Sequence, residues 1–150
     1  MSFILQRTQR AFKQAIDAKA WDWLVSCRGE ISRGEIDDDP ALNEASNARP
    51  AIIISTPSAS QYTPQVATFE VQVSVMLRTS ADDTAQEDHL AYSDELAEWI
   101  HGSTFISDLN ASNGFTAFGR GLVSQEVDRV GRSWQTTISF TLSAAPSDIS

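Results

Sequence analysis

The densest group of ligand-type side chains in the chain is Asp82, Asp83, Glu87, Asp88 and His89. Carboxylates this close in sequence can converge on a hard cation. Their spacing contains neither an EF-hand loop nor an HExxH pair. Thr84-Ala85-Gln86-Glu87 reads instead as a capping box, in which Thr84 takes a backbone N–H and Glu87 reaches back to the cap. The neighbouring acids then sit where the helix dipole favours negative charge. A second acid run, Asp37-Asp38-Asp39, reads as an exposed loop. His89 and His101 are twelve residues apart and fall on different faces of a helix, so surface or capping roles are expected for both. Cys27 is the only cysteine and reads as a small packing residue. Gly114, Gly119 and Gly121 lack the spacing of a phosphate-binding loop, and no G-x-S-x-G elbow is present. These residues predict no catalytic group, no metal site and no cofactor; the expectation is a protein that is not an enzyme.

Charge narrows the partners. The net charge is −9, unevenly spread: residues 1–33 hold six basic side chains and three acids, leaving +3 there and −12 elsewhere. Between Thr79 and Gly119 there is no Lys or Arg, against eight acids. Such a body repels nucleic acid at long range, and no basic, aromatic face of the kind an RNA-binding sheet uses is visible. No stretch approaches the roughly 18–20 apolar residues that span a bilayer, and the N-terminus has no continuous apolar run resembling a signal peptide. One unpaired cysteine fits synthesis in a reducing compartment.

The elements that position these side chains follow from periodicity. Leu5, Thr8, Phe12, Ile16, Ala20, Trp23 and Leu24 recur every three or four residues and predict a helix from residue 3 to about 27, with Trp21 off the stripe. Residues 29–50 read as a long loop, Ala51–Ser55 as a short buried strand, and residues 56–65, bounded by Pro57 and Pro64, as a second long loop. From about Val66 to Arg78 the chain alternates: Phe69, Val71, Val73, Val75 and Leu77 are apolar, with Glu70, Gln72, Ser74, Met76 and Arg78 between them. A helix follows, with Leu90, Ser93, Leu96, Ala97 and Ile100 as its buried stripe and Gly102 as its C-cap. Phe115 to about Val127 predicts a strand in which Gly119 and Gly121 mark a bulge or a close backbone approach. A turn at 128–133 leads to a last alternating strand, Trp134–Ser143, and residues 144–150 form a loose tail. The order α-β-β-α-β-β predicts one α+β domain spanning 1–150. Its sheet is expected to be about four-stranded and mostly antiparallel, with two main helices on one face.

This layout resembles the tail-terminator (tail-completion) proteins of long-tailed bacteriophages. The resemblance rests on the N-terminal amphipathic helix, Ile52-Ile53-Ile54, and the long strand ending Leu77-Arg78-Thr79. It also rests on the helix from Asp88-His89-Leu90 to Trp99-Ile100-His101, and on Gly119-Arg120-Gly121-Leu122-Val123 before the closing hairpin. It implies a homo-hexameric ring on the last ring of tail-tube protein, ending tube growth and meeting a head connector or stopper protein. Genomic DNA would pass through the lumen without sequence-specific binding. The implied location is the neck of the virion, assembled in the host cytoplasm, with no membrane involved. Another neck component, a stopper or head–tail joining protein, is the alternative; a small-ligand-binding domain or enzyme is the third reading.

With no chemistry to place, surfaces carry the candidates. Arg78, Arg120, Arg129 and Arg132 are the expected interface anchors, because guanidinium pairs with carboxylates in a bidentate fork. Asp94, Glu95 and Glu98 of the second helix are their expected partners. The polar rows of the alternating strands, including Glu70, Gln72, Gln135 and Thr137, offer a flat face to a neighbour.

Overall fold

The computed structural model describes residues 4–26, 30–33, 50–63, 66–82 and 84–146. Its elements are α1 (Ile4–Lys19), α2 (Asp22–Ser26), β1 (Glu30–Arg33), β2 (Ala51–Thr63), β3 (Val66–Ser80), α3 (Gln86–His101), α4 (Phe105–Leu109), β4 (Phe115–Arg120), β5 (Ser124–Val130) and β6 (Ser133–Pro146). The class is α+β with a mostly antiparallel sheet. It holds six strands and four helices among the described residues, rather than four strands and two main helices.

The sheet runs β1-β2-β3-β6-β4, and β5 also pairs with β6, on the same side as β4. Among the described residues only β1 and β2 pair in parallel. The alternation in β3 and β6 fixes their register: Val71 lies opposite Leu142, Val73 opposite Phe140, Val75 opposite Ile138 and Leu77 opposite Thr136. All eight are buried, on the face that the helices cover. Burying each large apolar side chain contributes roughly 1.5–3 kcal/mol. From α1, Phe12 meets Phe105 of α4 at 5.6 Å and Phe140 of β6 at 5.9 Å.

Several boundaries differ from the sequence expectation. The last strand runs on through Ala144, Ala145 and Pro146 into the expected loose tail, because β4 pairs with it there. The first helix breaks at Ala20, whose φ of +50° is left-handed. The break lets Trp21 stack on Trp23 at 5.6 Å and set its edge to Trp99, and Trp23 in turn stacks on Tyr92 at 4.7 Å. The segment 56–65 is largely strand: β2 continues through Pro57 to Thr63, and the register shifts between Ser55 and Ser58. A proline has no N–H for the ladder and is tolerated at such an irregularity. The loop predicted for 29–50 contains β1; residues 27–29, 34–49, 64–65, 83 and 147–150 lie outside the described residues, as do the acid run at 37–39 and Cys27.

The glycines of the strand predicted for Phe115 to about Val127 stand at a register shift and a close approach. The register shifts between Ala117 and Gly119, and Gly121 donates its N–H to the Thr141 carbonyl at 2.9 Å. A Cβ on Gly121 would lie 2.5 Å from Thr141 Oγ1. The strand therefore splits into β4 and β5, and the hairpin turn tightens to Gly131-Arg132, with Gly131 at φ +62°.

Candidate interaction surfaces

The capping box does not form. The N-cap of α3 is Ala85, with no side-chain cap bond. The turn after β3 sets Thr84 one residue too early: its N–H goes to the Ser80 carbonyl, and its own carbonyl accepts from Trp134 Nε1 at 3.1 Å. The buried stripe of α3 is also displaced by one residue at its start. His89, not Leu90, is buried, while Leu90 is 38% exposed. His89 spans the two central strands, with Nδ1 2.8 Å from Thr79 Oγ1 and Nε2 2.8 Å from Thr136 Oγ1. Burial lowers its pKa from 6.5 to about 4, so the imidazole is neutral and links β3 to β6. The expected surface or capping role is thereby corrected. The signal was present in the sequence: 89, 93, 96, 97 and 100 keep helical spacing as well as 90 does.

Of the acids at the start of α3, Asp83 lies outside the described residues; among the described residues no group of three His, Cys, Asp or Glu is placed to hold a metal. A second polar knot lies at the other end of the helical layer. Asp108 accepts from Trp99 Nε1 at 2.8 Å and Thr104 Oγ1 at 3.3 Å, and pairs with Lys19 at 2.9 Å. Burial raises the Asp108 pKa, but the hydrogen bonds and charge brought by Lys19, Trp99 and Thr104 outweigh it and hold the carboxyl below its ordinary value. A recess of about 230 Å³ opens beside it, lined by Gln14, Ala15, Ala18, Lys19, Ser107 and Asp108. Its two charged groups already bind each other.

The interface candidates separate into three places. Glu70, Gln72, Arg78, Gln135 and Thr137 share the sheet face opposite the helices, together with Ser74, Ser139, Thr141 and Ser143. From Gln135 to Ser143 every outward residue of β6 keeps partial exposure. Arg78 itself is 7% exposed and donates to Gln135 Oε1 at 2.9 Å, so it organises the face from within. Arg120 sits at the C-terminal end of α3, where Nε donates to the Ile100 carbonyl at 2.7 Å and a terminal guanidinium nitrogen to the His101 carbonyl at 2.8 Å. It neutralises the negative end of that helix. Arg129 lies over the Trp134 ring at 5.4 Å and donates to the Gly131 carbonyl. Arg132 is exposed at the hairpin tip.

The acids of α3 do not meet these arginines within the chain. Asp94, Glu95 and Glu98 are exposed, and Glu95 accepts from Trp23 Nε1 at 3.2 Å. Among the described residues the ion pairs are Lys13–Asp17 and Lys19–Asp108. No described helix is long and apolar enough to cross a membrane. No family model matches the chain, and no curated protein sequence matches it.

Proposed function

We propose that this chain is a structural virion protein that forms a homo-hexameric ring at the head-proximal end of a phage tail tube, ends tube growth and joins the tail to the head connector. The reading is carried by the sheet face built from Gln72, Ser74, Thr137, Ser139 and Thr141, which lies opposite the helices and presents an accessible, hydrogen-bonding surface. Charge placement supports it. Arg132 at the hairpin tip and Asp94 and Glu98 on α3 are exposed and make no ion pair among the described residues. Opposite charges on separate patches suit the head-to-tail contact that closes a cyclic ring. A net charge of −9 keeps passing DNA from adhering, since phosphate contacts are what hold DNA to a protein.

Native mass spectrometry and negative-stain imaging test the proposal, on the chain alone and mixed with tube protein. A hexamer, or a ring capping tube ends, is expected; a monomer under both conditions refutes it. Arg132→Glu should weaken the ring while leaving monomer stability unchanged. Binding to the portal-side adaptor in place of the tube end would reassign the chain to the stopper or head–tail joining proteins.

A further inference from the structure

The apolar side chains left in solvent are concentrated on one edge of the sheet. Among the described residues six large apolar side chains are exposed, and four of them, Phe118, Leu122, Val127 and Val130, lie on β4, β5 or the link between them. Leu122, in that link, is 97% exposed. Among the described residues β5 pairs on one side only, with β6, and all seven of its side chains are exposed. Alternate residues of such a strand turn both N–H and C=O outward, which is a template for another strand.

Its charges decide which strand can add. Glu126 lies opposite Thr137 and Asp128 opposite Gln135, so the two carboxylates share one face of β5. A second copy paired antiparallel about a two-fold axis would set residues against their mirror positions. Centring on Val127 puts Glu126 against Asp128 twice, and centring on Glu126 or Asp128 puts a carboxylate against its own copy. Like charges directly opposite are destabilising, and these are the registers that pair most of the strand. The same two charges that disfavour self-pairing favour a partner of opposite sign.

We infer that the β5 edge takes up an extended segment of a different polypeptide, one that brings Lys or Arg opposite Glu126 and Asp128 and apolar side chains alongside Val127 and Leu122. This is main-chain strand addition, with the backbone supplying affinity and the alternate side chains supplying choice. It stands whether or not the chain forms a ring.

Two synthetic probes test it, a Thr-Lys-Val-Lys-Val-Thr peptide and its counterpart with Glu at both Lys positions, each titrated into the full chain. Amide hydrogen exchange and chemical shifts of β5 are read by NMR. The lysine peptide should slow exchange of the outward-facing β5 amides and the acidic peptide should not. In the double variant Glu126→Lys/Asp128→Lys, confirmed as folded by circular dichroism, the lysine peptide should bind about tenfold more weakly and the acidic peptide should become the better ligand. No protection by either peptide at millimolar concentration overturns the inference, as does equal protection by both. Protection that grows with protein concentration alone would assign the edge to a second copy and overturn it too.

Discussion

His89 makes the stability of this protein depend on pH in a window where carboxylates contribute little. In the folded chain the imidazole is buried between Thr79 and Thr136, and its pKa is lowered to about 4. In the unfolded chain it titrates near 6.5. As pH falls, the unfolded state takes up the proton first, so protonation drains the folded population. The contribution of neutral His89 is fully present above the unfolded pKa and is lost progressively as pH falls from about 6.5 towards about 4. A gap of this size corresponds to roughly 3 kcal/mol in total, of which about 2 kcal/mol is lost by pH 5. Asp108 acts lower, because its depressed pKa gives stability that is fully present above the unfolded carboxylate value and is lost as pH falls from there through the depressed folded one. The measurement is urea denaturation at pH 8, 7, 6 and 5 at constant ionic strength, on the native chain and on His89→Gln. The variant keeps an amide that can bond to both threonines but cannot titrate. The native chain should lose about 2 kcal/mol more than the variant between pH 8 and pH 5. Parallel stability curves for the two proteins would refute the reasoning, whatever their absolute difference.

Three further outcomes are expected. Arg120→Glu removes two charge-assisted hydrogen bonds from the end of α3 and places a negative charge there. It should cost about 1–3 kcal/mol by chemical denaturation, with the monomer destabilised even where assembly is not assayed. Ala20→Gly relieves a left-handed φ at an exposed site and should raise stability by about 0.5–1 kcal/mol, read as an increase in Tm. Gly121→Ala drives a methyl into Thr141 Oγ1 and should cost about 1–3 kcal/mol. Adding Thr141→Ala should recover at least half of that loss in a double-mutant cycle; no recovery would place the strain elsewhere.

The parts of the fold legible in the sequence are those in which burial imposes a strict period. β3 and β6 alternate because one face of each is sealed by helices, and their register places apolar residue against apolar residue. The bulge beside Gly119 and the close approach at Gly121 are legible because glycine inside a strand marks such places, and at Gly121 a Cβ would run into Thr141 Oγ1. The sequence alone ends β2 before Thr56, because proline normally stops a strand and nothing local shows that Pro57 falls at a shift in register. The capping box failed because a contact fifty residues away, from Trp134 to the Thr84 carbonyl, decides where α3 begins. His89 was misplaced because histidine is polar by habit, and the two threonines that satisfy it come from other strands. For the surface candidates, residue type points Arg120 and Arg129 at carboxylates across an interface; it cannot show that a helix end and an indole ring within the same chain engage them.

β6 pairs with β3 along one side and with both β4 and β5 along the other, and it is the last described element of the chain. On a ribosome, three strands therefore wait for Ser133–Pro146 to be made before their ladders can close. Until then Val71, Val75 and Leu77 have only the β2 row, Ala59, Ile54 and Ile52, opposite them, and β4 and β5 have no strand neighbour among the described residues. The β3–β6 pairing is distant in sequence, and such pairings form slowly and leave strand edges open while they do. A chain stopped before residue 133 should thus be insoluble rather than partly folded, and nascent copies close together on one message are the ones most exposed to mispairing.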